Sequence, residues 1–467
     1  MQRYVGFWDV GEMQTVPYIL GIAHPTGFPA FVLAGWAFTH LLPFGSVAWR
    51  TTLLCALAMA LTAWLVYRMA LDEVGDAAVA LLAALSFAFT ALAWVRGTRA
   101  EVHAVAITFI ALTLWCALRW SATLDRRWLY TGAVAWGFAL GTHLIAALCA
   151  LGLLMIVLSR WESVAAKHVM QALVICIAIV CVLYAYLPVR SAQVFAQRRD
   201  PTLALGVAPG RPFWDYDHPA GREGFLALVS GSDFPVSEGI AAIFLPETYL
   251  RAGPRYGRAV VENFTVAGAL LIFAGAMIFL RSARLRALGF IVAGMTCVPF
   301  GLGFPPEADV QRYFLGAFVT SAVLIAVALK ELIARWPALR AVVLSAAAGV
   351  VFSQVYLHRE ILGQRYDIGA SRYVDFVRSH TSAQAIILAP WTYATPLAYG
   401  AYVERNFGDR IVEAAWLSDD LAHVPRWITH RPVYVVYLPW GDLPPGYALQ
   451  PISGADPPLY RIVRKRW

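Results

Sequence analysis

Long apolar runs recur along this chain with almost no charge inside them, and they confine it to folds that live in lipid. Stretches of about 20 residues, enough to cross a hydrocarbon core, fall at 51–70, 77–95, 101–119, 168–187, 262–280, 285–304, 313–330 and 340–358. The run Trp128–Leu158 is too long for one helix and carries Gly141-Thr142-His143, which predicts two short helices joined there. The expectation is a mainly α, polytopic membrane protein of about ten spans. With 60% hydrophobic and 14% charged residues over 467 positions, an ordinary soluble globule is excluded. All six cysteines lie inside the apolar runs and read as small buried side chains rather than bridge partners.

Basic residues orient the chain. One alternating set of loops holds Arg68, then Arg119, Arg126 and Arg127, then Arg160 and Lys167, then Arg281, Arg284 and Arg286, then Lys330, Arg335 and Arg340; the other holds only Arg96, Arg99 and Arg312. The first set is expected on the cytoplasmic side of a bacterial inner membrane. That places the loops at 96–100, 188–260 and 305–312, and everything after 358, outside. The net charge of +8 is dispersed over these loops. It sets topology and meets anionic lipid rather than nucleic acid.

The segment 28–44 contains Pro29, His40 and Pro43 and suits an interfacial or re-entrant helix better than a span. On that reading an exported segment, 1–50, carries the motif Phe7-Trp8-Asp9-Val10-Gly11-Glu12, then His24-Pro25-Thr26-Gly27-Phe28-Pro29, then Arg50. These join Arg99, Glu101, His103 and Arg312 on one face. Ionisable groups at span ends cost solvation energy unless they pair or bind something polar. Arginines can hold a phosphate, and a carboxylate can take a proton from an acceptor hydroxyl. A glycosyl transfer from a lipid phosphate needs both.

The order Asp-x-Gly-Glu, then Gly21-Ile22-Ala23-His24-Pro25, then an arginine before the next span, then Ala100-Glu101-Val102-His103, resembles the domain-of-unknown-function 2723 family of multi-spanning membrane proteins. That family is similar to the integral-membrane GT-C glycosyltransferases, including protein O-mannosyltransferases. Trp115–Trp120, Gly141-Thr142-His143 and Leu187-Pro188-Val189-Arg190-Ser191 extend the resemblance over about residues 6–320. It implies Asp9 as catalytic base, with Glu12 orienting the acceptor or supporting Asp9. His24 would begin the interfacial helix, Glu101 and His103 would line the second exported loop, and Arg312 would approach the donor phosphate. The implied donor is a sugar, mannose or similar, on a polyprenyl phosphate, the acceptor a protein or envelope glycan, and no cofactor is required. Relatives carry a transmembrane helix before the acidic motif, so the natural protein is expected to have one; His103 stands where many relatives have tyrosine.

The same residues admit plainer roles. Asp9 and Glu12 also fit a helix N-terminal charge pair, His24-Pro25 a helix start, and Glu101 a dipole-stabilising carboxylate. Arg50 fits a headgroup anchor, His143 a satisfied structural group, and Arg312 an ordinary ion pair with Asp309. The long exported loop 188–262 contains Phe213-Trp214-Asp215-Tyr216-Asp217-His218-Pro219, whose aromatic faces and carboxylates suit gripping a sugar ring or capping the fold. Asp215, Asp217 and His218 are a weak metal signal, which leaves a divalent ion open. From about residue 364 to 467 the composition is that of a small extracytoplasmic α/β domain with parallel strands at Ala385–Ala389, Arg410–Ala414 and Val433–Leu438. Its helices are expected at Tyr366–Ser379, 393–404 and Ser418–His430. A transporter or lipid flippase, and a non-catalytic subunit of an envelope complex, are the rival functions.

Overall fold

The computed structural model describes residues 1–234, 236–304, 309–361, 363–414, 421–437, 443–454 and 456–465. Its helices are α1 Asp9–Ile19, α2 Pro29–Leu41, α3 Val47–Val74, α4 Ala77–Ala88, α5 Ala91–Gly97, α6 Val102–Thr123, α7 Arg126–Thr142, α8 Ala150–Leu158 and α9 Ala166–Ala196. They continue as α10 Arg222–Ser230, α11 Val236–Phe244, α12 Pro246–Ser282, α13 Arg284–Met295, α14 Cys297–Leu302, α15 Leu315–Arg335 and α16 Arg340–Leu357.

Among the described residues, seven helical segments are long and apolar enough to cross a membrane, and α4 with α5, bent by 68°, makes an eighth if counted as one span. The ten expected from apolar runs included the two helices flanking His143. Both are short: α7 has 17 residues, and Leu144–Leu158 also falls below spanning length. The breaks have local causes. Thr90 accepts the Ala93 N–H at 3.2 Å and starts α5, and the Nδ1 of His143 accepts the Ile145 N–H at 3.1 Å. A side chain that caps a new helix ends the old one.

Successive antiparallel helices bring Gly97–Val102, Thr142–Leu144, the chain after Ala196, Leu302 with Val310, and the chain after Leu357 to one end of the bundle. The opposite end is tied by Glu73 to Arg286, Asp76 to Arg340 at 2.5 Å, and Asp72 to both Arg119 at 3.2 Å and the Trp115 indole N–H at 2.8 Å. The helix α2, of 13 residues, falls short of the spanning helices in length. Before α1, the Gln2 N–H bonds the Thr98 carbonyl at 2.8 Å; after α2, the Ser46 hydroxyl bonds the Arg3 carbonyl at 3.0 Å. The chain therefore enters and leaves at the same end, as the prolines around 28–44 suggest.

The C-terminal domain adds α17 Gly369–His380, α18 Trp391–Ala398 and five strands: β1 Ile386–Ala389, β2 Ile411–Ala414, β3 Val433–Val436, β4 Tyr447–Ile452 and β5 Leu459–Arg464. The sheet order is β2-β1-β3-β5-β4, with β1 parallel to both β2 and β3. The three parallel strands match the valine- and isoleucine-rich runs in the sequence, although Leu438, like Ser418–Asp420 of the expected third helix, lies outside the described residues. Of that helix the described residues show Leu421, Ala422 and the turn Val424–Trp427 as helical. The antiparallel pair β4–β5 is unanticipated: β4 is half exposed and contains Pro451, so it has little of a buried strand's signature.

This domain is built onto the membrane part. From the long loop, Leu205 and Val207 enter its core beside Val424 and Trp427, whose indole donates to the Leu205 carbonyl at 2.9 Å, and Arg211 pairs with the fully buried Glu413 at 3.2 Å. In a Cys181→Ser background, S46C and R199C should react with an impermeant maleimide from the same side of the membrane, and T123C only from the other. Labelling of S46C from the T123C side would show that α2 crosses.

Candidate active site

The acidic motif forms because α1 is bracketed by two residues with positive φ. Trp8 (φ 56°, ψ −148°) precedes it, and Leu20 (φ 52°, ψ 46°) ends it in the left-handed region. Asp9 and Glu12 occupy the first turn, where the helix dipole favours carboxylates. At the other end the Arg190 guanidinium donates to the Leu20 carbonyl at 2.5 Å and the Ile19 carbonyl at 3.1 Å, while the Tyr186 hydroxyl donates to Gly21 at 2.9 Å. A cation on orphan C-terminal carbonyls stabilises the helix. That is the work of the Leu187–Ser191 motif.

The chain then turns back. Glu12 is fully buried, accepts the His24 N–H at 2.8 Å and makes a short hydrogen bond with the His24 ring. The turn needs Gly27, which sits at φ +79° with a space for Cβ only 2.9 Å from the Leu187 side chain. The Asp9 carboxylate is held on both sides: Arg312 donates to one oxygen at 3.0 Å and the Trp391 indole to the other at 2.9 Å. Its side chain remains 32% exposed.

Beside this lies a second charged group. Arg96, at the end of α5, pairs with Glu101 at 2.9 Å and with Asp309. Arg99 reaches Asp309 at 3.3 Å and Glu101 at 3.5 Å. Glu101 also takes a 2.8 Å bond from His103, whose ring lies 4.6 Å from that of His143. His143 stacks on Phe28, and Tyr313 meets His103 edge-on at 5.4 Å. The Nε2 of His103 is buried without a partner among the described residues. One residue beyond His143 begins an apolar groove of about 430 Å³ lined by Leu144, Val180, Cys181, Tyr184, Pro188 and Phe225.

Protonation follows from these contacts. Burial opposes ionisation of Asp9, but the charges of His24 and Arg312 and the Trp391 bond outweigh it and hold the carboxyl below the usual carboxylate range. Burial pushes Glu12 up more than His24 pulls it down, with the negative Asp9 adding to the rise. For His24, burial disfavours the charge, yet Glu12 more than offsets this and raises its pKa. The arrangement is an ionised Asp9 next to a Glu12–His24 pair that retains a proton. Burial likewise opposes ionisation of Glu101, and the His103 bond with the Arg96 charge keeps it ionised.

Of the residues singled out in the sequence, Asp9, Glu12, His24, Arg99, Glu101, His103, His143 and Arg312 come together here. Two lie elsewhere. Arg50 donates to the carbonyls of Thr39, Phe44 and Gly45 and clasps the turn between α2 and α3. Asp215 bonds His218 at 2.6 Å, and Ser191 approaches the same ring nitrogen at 3.3 Å, which fastens the long loop to α9. Phe213 is buried against Trp391, so its ring is closed to ligand. Arg312 pairs with Asp9 rather than with Asp309, which serves Arg96 and Arg99. Arg96, Tyr313 and Trp391 were not singled out. Arg96 had a signal, since it shares with Arg99 the short basic loop 96–100 of the sparsely basic set; Trp391, 382 positions from Asp9, had none.

Asp9, Glu12 and His24 each offer one ligand atom within 4.8 Å of the others. A divalent cation matches that donor set, but it would have to compete with the Arg312 guanidinium already on Asp9.

Residues 9–166 match the family described as the protein O-mannosyl-transferase TMEM260 N-terminal domain. The chain is 39% identical over 111 residues to protein O-mannosyl-transferase TMEM260 of Mus musculus, covering 24% of this chain and 16% of that protein. It is 29% identical over 109 residues to the tmem260 protein O-mannosyl-transferase of Dictyostelium discoideum, covering 23% and 13%. The matches thus span about one-sixth or less of those relatives' lengths. The fold resembles the crystal structure of ArnT from Cupriavidus metallidurans bound to undecaprenyl phosphate: TM-score 0.56, 13% identity, 98% of this chain and 94% of that one. The two chains therefore share a fold over nearly their whole lengths.

Two measurements probe the charges. Glu101→Ala takes the buried partner from Arg96, leaving it Asp309 alone, and also removes the partner of His103; it should cost about 3 kcal/mol, whereas Arg99→Ala should cost under about 1 kcal/mol. Thermal denaturation in detergent compares them, and equal losses would contradict the central place given to Arg96. Because the folded chain raises the His24 pKa, the pair's contribution is complete below about pH 6.5 and is lost as pH rises through the folded value. The Tm of the wild type should fall as pH rises through that folded value, with a flatter profile for His24→Gln.

Proposed function

We propose that this protein is an integral-membrane GT-C glycosyltransferase. It moves a sugar, mannose or a close relative, from a polyprenyl phosphate to a hydroxyl of a protein or envelope acceptor. The observation that carries this reading is the partly exposed Asp9 carboxylate, kept ionised by His24, Arg312 and Trp391 at the end of a membrane bundle where further arginines gather. The names of the matched relatives and the ligand of the ArnT structure support the same chemistry.

In the proposed reaction the acceptor oxygen attacks the sugar C1 while its proton passes to Asp9. The bond from C1 to the phosphate oxygen breaks, and the phosphate leaves with the electron pair. Arg312, with Arg99 and Arg96 behind it, faces the negative charge that develops on the phosphate. Glu12 and His24 orient Asp9 and the acceptor, and Glu101, His103 and His143 line the sugar side. Arg50 and Asp215 act at a distance, by holding the loops that shape the site. The prenyl chain lies in the apolar groove beyond His143. The basic loops at the opposite end are cytoplasmic, as in a bacterial inner membrane, so the site faces outward.

Transfer of radiolabelled mannose from a polyprenyl-phosphate donor by full-length protein tests the reading. Asp9→Asn is expected to lower kcat by about 10²- to 10⁴-fold. Undiminished transfer in that variant removes Asp9 from the mechanism, and no transfer by wild type across lipid-linked sugars favours a flippase or a non-catalytic subunit. Ala185 also lines the groove; Ala185→Trp, which fills it, should raise KM for the donor several-fold with little change in kcat, and an unchanged KM would place the lipid elsewhere.

A further inference from the structure

Two adjacent residues of the C-terminal domain grip two adjacent residues of the acidic motif. The Trp391 indole N–H donates to the Asp9 carboxylate at 2.9 Å, and the Thr392 carbonyl accepts the Trp8 backbone N–H at 3.3 Å. The grip falls at a defined place in the domain. β1 is flanked by β2 on one side and β3 on the other, and it runs through Pro390 directly into α18. In open α/β sheets the crevice beyond the carboxyl end of such a strand, where successive connections diverge, is where ligands are held. Here the first turn of α1 occupies that place.

Three further observations make the contact specific. At Gly11, a Cβ would stand 2.6 Å from the Gly6 carbonyl and 2.8 Å from the Thr395 hydroxyl, so α1 and α18 meet at backbone distance. The Trp391 ring lies nearly parallel to Phe213 of the long loop, 4° apart in plane with centroids 5.6 Å apart, and is only 7% exposed. Trp8 is held at φ 56°, ψ −148°, a region almost confined to glycine, with its own side chain 59% exposed. A tryptophan keeps such a conformation only where its surroundings over-determine it, and the Thr392 carbonyl is one of the groups that do so.

We propose that Trp391 is a positioning residue for Asp9, and that the C-terminal domain forms one wall of the active site rather than a separate recognition module. Trp391 acts through Asp9: its N–H fixes one carboxylate oxygen, Arg312 the other, and the carboxylate is left with one orientation. This rests on the glycosyltransferase reading given above, but the contact can be tested without it.

The experiment uses full-length protein in lipid nanodiscs. Trp391→Phe keeps the stack on Phe213 and removes the donor. With mannosyl polyprenyl phosphate, kcat should fall by about ten- to a hundred-fold, the worth of a hydrogen bond to a charged group, with donor KM within about twofold. In an Asp9→Asn background the same substitution should cost nothing further. A full loss on top of Asp9→Asn, or no loss in the wild-type background, would overturn the proposal. Independently of activity, the ¹⁵N-indole resonance identified by its disappearance in Trp391→Phe should shift in Asp9→Asn. If wild type transfers no sugar, the glycosyltransferase reading fails while this resonance still decides the contact; an unmoved resonance would sink it.

Discussion

The Asp9 carboxylate bound between Arg312 and Trp391 is the contact on which the rest of the site depends. It joins the start of the chain, a late membrane helix and the C-terminal domain in one set of bonds. A carboxylate at a membrane boundary is stable as an anion only with fixed donors around it. The donors in turn need positions, and each belongs to a different part of the fold. Arg312 sits in the turn leading into α15, Trp391 at the carboxyl end of a buried parallel strand, and Asp9 in a first turn set by a strained Trp8.

Around that contact the cluster divides its charges. Asp9 is ionised next to two cations, Glu12 and His24 hold a proton in a buried pair, and Glu101 stays ionised among Arg96, Arg99 and His103. Two neighbouring acids with opposite protonation habits suit an acid–base site. The rest of the molecule keeps this arrangement in register through side-chain bonds to backbone groups. Arg190 caps α1, Arg50 clasps the α2–α3 turn, and His143 starts the helix that follows it.

Much of this was legible in the sequence because the constraint was local or compositional. Apolar run length revealed most of the spans, the prolines of 28–44 marked α2 as a short helix, and the valine-rich strands announced the parallel half of the sheet. Loop charge and the ordered motifs brought Asp9, Glu12, His24, Glu101, His103 and Arg312 to one end. Legibility failed where side chains found partners far along the chain. Arg50 and Asp215 have the chemistry of substrate-binding groups, yet carbonyls and a histidine nearby satisfy them. Asp309 stands three residues from Arg312 and pairs with Arg96 and Arg99 instead. The division of the Trp128–Leu158 run at His143 was legible, but both of its short helices were counted as spans, and by length neither qualifies among the described residues.

The sequence by itself determined that the chain lives in a membrane, that its ionisable groups collect at one boundary, and that a small α/β domain follows the last span. These are consequences of hydropathy, period and charge distribution, which act over neighbouring residues. Only the tertiary structure decided which acid is ionised and what holds it. The pKa of Asp9 depends on an indole 382 positions away and a guanidinium 303 positions away, and burial makes those few contacts outweigh anything its own segment encodes.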